Sequence, residues 1–359
     1  QLISSEPMGT AAAVQAISNL RDKFKGNFRT IVLLCPAMKV PMELDSDTVV
    51  LDDPLPDRAA LTVMAKSMIG GAMGKNKKAV VTPELVDKTV EALTGLSLFA
   101  AEQVLAMSFK AATDTASGEV EISLKDLWER KRVAIEQSPG LTVHRGDETL
   151  DDVIGNDFIK ARLRQRMKGR KPIGVVVMVD EIDKVFANVE HDTSGVRMDQ
   201  LRTMLTEIEN NRWGGVICAC LPGAGKSLLA KAMGNEAGVP TIVLDLAGME
   251  GGIVGESEAN LRRAISVIKS VGDGNAFFIA TSNNATIMRP ELQRRFTGGF
   301  FFFDLMTEAE RAAAWKYYIK KYDLKQSVIP RDEGWTAAEI RNCAEEAWNC
   351  NISLTEAAK

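Results

Sequence analysis

Short apolar runs alternate with longer stretches of mixed polarity from residue 151 onward. The runs cover residues 174–181, 214–220, 240–246, 275–283 and 299–305, and read GVVVMVDE, GGVICAC, PTIVLDL, NAFFIATSN and GFFFFDL. They are almost continuously apolar, which is typical of parallel strands buried on both faces. Helical stretches of suitable length separate the first four runs. The pattern predicts a three-layer α/β module with a parallel five-stranded sheet over residues 151–305.

The chain becomes helical after the last of these runs. Thr307 is followed three residues later by Glu310, which is the pattern of a capping box at a helix start. We therefore predict a C-terminal helical lid over residues 306–359.

The first part of the chain echoes the second half of this module. Residues 29–61 and 275–314 both read as an apolar strand, a loop with Pro and Glu-Leu, a second strand ending in Asp, and a helix. We interpret residues 1–115 as a partial, degenerate copy with part of a sheet and a helical lid. The polar residues 116–150, which contain Pro and Gly, are interpreted as a linker. The alternative, that unrelated strand–helix stretches share these features, stays open.

Composition excludes several classes of protein. A formal net charge of −4 argues against a protein that coats nucleic acid. Five cysteines without a CxxC pair, together with only two histidines, argue against structural zinc and favour a reducing compartment. No apolar run approaches the roughly 18 residues that a membrane span requires, and we expect no signal peptide. We expect a cytoplasmic protein.

The segment CLPGAGKSLL (220–229) follows an apolar run and begins a helix, as a phosphate-binding loop (Walker A) does. Glycines let backbone N–H groups turn toward phosphate oxygens, Lys226 would reach the β and γ phosphates, and Ser227 would ligate Mg²⁺. Cys220 stands where the full pattern has glycine. The loop predicts an ATP site with Mg²⁺, and its candidate contacts are Pro222, Gly223, Ala224, Gly225, Lys226, Ser227 and Leu228.

The run VVVMVDE ends in two carboxylates, the pattern of a Walker B strand. Asp180 would hold Mg²⁺, and Glu181 would polarise the attacking water. This strand precedes the loop, whereas the usual order is the reverse. Ligands of an open parallel sheet bind at the carboxyl ends of its strands. The site therefore depends on which strands are adjacent in the sheet and not on their order along the chain. We predict that Asp180 lies beside Ser227, and that the chain is rewired before Gly174, near residues 211–213 and near 272–275.

From Asp151 to about Ala347 the chain resembles the AAA (AAA+) ATPases, with the two motifs in permuted order. The resemblance implies that Val153, Ile154 and Gly155 in LDDVIGND pack on adenine, and that Ala338 of the lid lies near the base. It implies that Asn283 is the polar sensor and Arg295 the arginine finger that acts on a neighbouring subunit's ATP. Gly298 takes the place of a second family arginine, for which Arg294 is a candidate substitute.

The same resemblance implies a ring, expected as a hexamer, that hydrolyses ATP and remodels or unfolds a protein partner in a chaperone-like way. Ile253 and Val254 would form the pore loop; the alternative is a glycine-rich surface loop without grip. The degenerate first half is similar to that of certain bacterial and plastid AAA proteins. Two further alternatives are a slowly hydrolysing scaffold or switch, and a nucleic-acid loader, which the acidic charge disfavours. The basic residues 160–171 are interpreted as a solvated or subunit-facing surface.

Overall fold

The structure, a computed structural model, describes residues 7–32, 44, 48–49, 55–73, 82–111, 120–187, 196–219, 223–249, 256–284, 290–324 and 328–358. The chain divides into two compact units, Gln1–Pro54 and Leu55–Lys359. The described part of the first unit contains helix α1 (Pro7–Lys25). The two strands predicted within residues 29–54 lie mostly outside the described residues.

The second unit begins with a cluster of helices. Three of these helices begin after a residue whose side-chain hydroxyl accepts a backbone N–H of the first turn. These N-cap residues are Thr82, Ser97 and Ser123. Their apolar faces enclose a common core that includes Leu61, Val90 and Leu127. The elements are α2 (Arg58–Met73), α3 (Pro83–Leu93), α4 (Leu98–Ala106), the antiparallel pair β1 (Phe109–Ala111) and β2 (Val120–Ile122), and α5 (Leu124–Glu136).

The segment 116–150, predicted as a linker, contains regular structure. Helix α5 lies inside it and contributes Leu127 to the helical core, while strand β3 (Leu141–Val143) adds to the main sheet. The segment is polar in composition because α5 buries only one face. The boundary between compact units also falls at residue 54, within the domain predicted over residues 1–115.

The main sheet has six strands in the order β3-β6-β4-β7-β5-β8. The five predicted strands are present and parallel, and β3 pairs antiparallel with β6 at the edge, where Leu141 lies opposite Leu244. The expectation of five strands is corrected by this sixth, which at three residues is too short to produce a periodic pattern. The remaining strands are β4 (Val175–Val179), β5 (Gly214–Ala219), β6 (Thr241–Leu244), β7 (Ala276–Ser282) and β8 (Phe300–Phe302).

Helices cover both faces of the sheet. In β4, Val175, Val177 and Val179 belong to one apolar core and Val176 and Met178 to the other, since successive side chains point to opposite faces. This strand is therefore buried on both sides, as its continuous apolar sequence predicts. The helices are α6 (Asp157–Met167), α7 (Ile182–Ala187), α8 (Val196–Asn210), α9 (Lys226–Ala237), α10 (Glu256–Val271) and α11 (Pro290–Arg295).

The C-terminal part is helical and has its own core. Helices α12 (Glu308–Lys321), α13 (Ala337–Cys350) and α14 (Leu354–Ala357) pack around Trp315, Ile340 and Leu354. The capping box predicted at Thr307 and Glu310 is present. None of the helices in the described part of the chain combines the length and the apolar composition that a membrane span requires.

Candidate functional site

The candidate site lies where β4, β7 and β5 end. Because these strands are parallel, their carboxyl ends meet at one edge of the sheet. Strand β7 lies between the other two, so the two motif strands are not direct neighbours. The residues that follow the three strands nevertheless contact one another directly.

The loop before α9 has the conformation that glycine permits. Gly223 and Gly225 have φ of +86° and +88°, in the left-handed region that residues with a side chain rarely adopt. Gly225 is the N-cap of α9, and no side chain caps that end. Gly225 has no side chain that could accept the first-turn N–H groups, and such a helix start is suited to an anion. Pro222 and Cys220 lie outside the described residues.

The structure brings the carboxylate motif after β4 into contact with the glycine–lysine loop before α9. The Ser227 hydroxyl lies 3.3 Å from each carboxylate oxygen of Asp180. A hydroxyl and a carboxylate at this separation are oxygen ligands of the type that Mg²⁺ prefers, and Mg²⁺ typically takes one or two carboxylates and keeps several waters. The residues present therefore fit a magnesium ion accompanied by phosphate.

Asn283 connects the loop lysine to the second carboxylate. Lys226, which is only 7% exposed, donates from Nζ to Asn283 Oδ1 at 2.8 Å. The amide nitrogen Nδ2 of Asn283 donates to Glu181 Oε1 at 3.2 Å. The other oxygen of Glu181 pairs with Lys184 at 2.5 Å, and this carboxylate raises the pKa of Lys184. The amide thus faces the cation with its oxygen and the anion with its nitrogen.

Two residues that the sequence reasoning missed also belong to the site. The Thr281 hydroxyl donates to Asp180 Oδ1 and accepts the backbone N–H of Glu181 at 2.9 Å. Asp183 Oδ1 accepts the backbone N–H of Asn283 at 3.1 Å. A signal for Thr281 was available, because residues two apart in a strand lie on the same side and Thr281 precedes Asn283 by two. No comparable signal marked Asp183.

A cavity lies between the loop and the lid. Of the residues assigned to adenine, Ile154 lines it and the buried Val153 lies close to Gly225. Gly155 instead lies against Glu310 of α12. The backbone N–H of Ala338 donates to the Gly223 carbonyl at 3.2 Å, which joins the lid to the loop. Leu228 packs on the sheet core, and the cavity's other lining residues include Ala224, Asn156, Phe302, Phe303, Asp304 and Thr336.

The segment before α6 is also tied to the lid. The Tyr317 hydroxyl of α12 donates to Asp152, whose other oxygen accepts from Thr149. Burial and this neighbouring carboxylate raise the pKa of Tyr317. Asp152 is itself partly desolvated, which opposes ionisation, but the bonds from Tyr317 and Thr149 bring its pKa below the ordinary value.

The candidate arginines lie apart from this cluster of contacts. Arg295, at the end of α11, forms an ion pair with Glu209 at the end of α8. Arg294 is exposed. Gly298 cannot accommodate the second family arginine without movement, because a Cβ there would lie 2.6 Å from the Gly215 carbonyl oxygen. The candidate pore-loop residues Ile253 and Val254 lie outside the described residues.

Comparison with known families bears on the same part of the chain. Residues 216–279 match the model of the ATPase family associated with various cellular activities (AAA). This segment is therefore similar to the AAA family. The matched residues run from β5 through α9, β6 and α10 into β7, and so include the glycine–lysine loop.

Relatives extend the AAA similarity over most of the chain. The uncharacterized AAA domain-containing protein ycf46 of Trieres chinensis is 25% identical over 92% of this chain and 68% of its own length. The ycf46 protein of Pyropia yezoensis is 23% identical over 95% and 70%, and that of Guillardia theta 22% identical over 85% and 60%. The solved AAA domain of FIGL-1 in complex with ADP has 13% identity, covers 59% of this chain and 76% of that one, and has a TM-score of 0.34, too low to define a common arrangement of elements.

Proposed function

We propose that this AAA-type protein binds ATP with Mg²⁺ at the carboxyl edge of its sheet and hydrolyses it. The contact between Ser227 and Asp180 carries the proposal. These residues are 47 positions apart, and the strands that precede them, β4 and β5, are separated by β7. Each is the residue of its motif that is predicted to bind Mg²⁺. A chance resemblance of either motif gives no reason for the hydroxyl and the carboxylate to meet.

Each group of the site has a definite task in this proposal. The N-terminus of α9, which follows the N-cap Gly225, and the Lys226 ammonium would hold the phosphates. Ser227 and Asp180 would hold Mg²⁺, which supplies charge neutralisation to the phosphates when bound. Glu181 would accept a proton from the attacking water, with its carboxylate directed by Asn283. Lys184 is largely exposed, and exposed ion pairs are weakly held, so its pairing with Glu181 leaves that carboxylate available.

Ring assembly and action on a protein partner belong to the same proposal. Arg295 would serve ATP bound by a neighbouring copy, stabilising the charge that develops there, and Ile253 and Val254 would contact a substrate polypeptide. The relatives are named only as AAA domain-containing proteins, so the substrate class rests on the AAA resemblance alone.

A slowly hydrolysing switch is a second candidate function. One observation favours it: Arg295 is engaged by Glu209 of its own chain and must leave that pair before serving another subunit. A ring that turns over only when this pair opens would spend most of its time nucleotide-bound and would act as a scaffold.

The test compares two variants of the site. Lys226→Ala should abolish ATP binding, since it removes the cation that faces the phosphates. Glu181→Gln should keep binding and lower turnover by about 10²- to 10⁴-fold, the usual contribution of a general base. Equilibrium titration with ATP and a phosphate-release assay measure both effects, with the exposed Glu129→Gln of α5 as control. Undiminished turnover in Glu181→Gln would remove that residue from its role, and a wild-type chain that binds no nucleotide would end the proposal.

A further inference from the structure

The hydroxyl of Thr281 connects the two carboxylates at the end of β4. Thr281 is fully buried. Val179 pairs with Ala280 in the sheet, so the next residues along, Asp180 and Thr281, lie level with each other. The hydroxyl donates to Asp180 Oδ1 and accepts the Glu181 N–H at 2.9 Å.

We propose that Thr281 is a positioning residue for ATP hydrolysis, which fixes the direction of both Asp180 and Glu181; the inference rests on the proposed function. A hydroxyl has one proton to donate and lone pairs to accept with. Here the Thr281 hydroxyl donates its hydrogen bond to the Asp180 carboxylate and accepts one from the backbone N–H of Glu181. A single side chain thereby sets the orientation of the magnesium-side carboxylate and of the backbone that carries the base.

The backbone of Glu181 shows why such a support is needed. Its φ is +50°, in the left-handed region that a residue with a side chain rarely adopts unless its surroundings hold it there. The N–H of this strained residue is the group that Thr281 accepts. In this conformation the Glu181 side chain reaches the Asn283 amide instead of continuing along the strand. Without the hydroxyl, this N–H and one oxygen of Asp180 each lose a buried partner.

The decisive substitutions are Thr281→Val, which keeps the branched shape and removes the hydroxyl, and Thr281→Ser, which keeps the hydroxyl. Misplacement of reacting groups by about 1 Å costs up to roughly a hundredfold in rate. We expect Thr281→Val to lower kcat by about ten- to a hundredfold while KM for ATP changes less than about threefold. The Mg²⁺ concentration needed for half-maximal nucleotide binding should rise severalfold. Thr281→Ser should restore both.

A readout without nucleotide is hydrogen exchange at the Glu181 amide. That amide should be protected in the wild-type chain and in Thr281→Ser, and should exchange at least about fivefold faster in Thr281→Val, the equilibrium equivalent of losing one hydrogen bond of about 1 kcal/mol. Ser282→Ala is the matched control, because Ser282 is equally buried on the same strand but its hydroxyl bonds to Asn284.

The outcomes separate this inference from the proposed function. A wild-type chain that neither binds nor hydrolyses ATP overturns both. A hydrolysing wild-type chain with a Thr281→Val variant of equal kcat, Mg²⁺ requirement and Glu181 exchange overturns only the role of Thr281. Failure of Thr281→Ser to restore kcat, or an equal loss in Ser282→Ala, would likewise reject it in favour of general packing at the strand end.

Discussion

A buried lysine in the helical cluster gives a stability prediction independent of the nucleotide site. Lys131 of α5 is 3% exposed, its Nζ donates to the Glu91 carbonyl at 3.1 Å, and it stands 4.6 Å from the centre of the Trp128 ring. The Glu91 carbonyl is in the last turn of α3, so the lysine caps that helix from a neighbour. Burial disfavours the ammonium more than the Glu91 charge favours it, and the pKa of Lys131 falls from 10.5 to about 7.

The direction of the pH effect follows from this lowered pKa. Between pH 7 and 10.5 the unfolded chain keeps a proton on Lys131 that the folded chain has lost. Stability rises with pH wherever the unfolded state binds more protons. Each pH unit contributes at most about 1.4 kcal/mol, and the residue is half-titrated near pH 7, so raising the pH from 7 to 9 should add about 2 kcal/mol to the free energy of unfolding.

Urea denaturation followed by circular dichroism at pH 7 and pH 9 measures this term. The pH-dependent gain of the wild-type chain should shrink by about 2 kcal/mol in Lys131→Met, which fills the same space without a titrating group. Lys125→Met, an exposed position on the same helix, should keep the wild-type gain. If Lys131→Met and the wild-type chain gain equal stability between the two pH values, the lysine is not titrating as its burial requires.

Two further predictions concern contacts around the site. Arg295→Ala should leave ATP binding within about twofold of wild type but lower turnover by about 10³-fold or more if the residue acts on a neighbour's ATP. Mixing this variant with Lys226→Ala should partly restore phosphate release. Absence of restoration in mixed assemblies would contradict action between subunits. Tyr317→Phe keeps the ring and removes the bond to Asp152, so urea denaturation should register a loss of about 1–2 kcal/mol, and an unchanged midpoint would show that water replaces the bond without cost.

Long apolar strands and the glycine–lysine loop could be predicted from the sequence. Strand β4 has five consecutive buried residues and β7 has seven, so their apolar runs were visible without any partner. The glycine–lysine loop was equally visible because its φ values require glycine at Gly223 and Gly225. The prediction that Asp180 approaches Ser227 needed only the rule that parallel strands end at the same edge.

Contacts that depend on register could not be predicted in the same way. Strand β3 has three residues, and its place at the sheet edge is set by a pairing with β6, about 100 residues later. Helix α5 carries many charges, and its buried residues, including Leu127 and Lys131, are few enough that composition resembled a linker. The bond from Thr281 to Asp180 joins residues 101 positions apart and follows from β4 and β7 lying in one specific register.

The predicted rewiring of the chain involves segments at the opposite edge of the sheet. The segments that lead into β4, β5 and β7 lie together there: the Gly174 N–H donates to the Asn275 carbonyl at 2.8 Å, and the Trp213 indole N–H donates to the Gly274 carbonyl at 2.9 Å. These are the three places where the sequence predicts rewiring. Connections that are neighbours in space can be exchanged over short distances without moving the strands they serve. The carboxyl edge, where Asp180, Ser227 and Asn283 meet, depends on strand neighbours alone, so one site is compatible with either order of the chain.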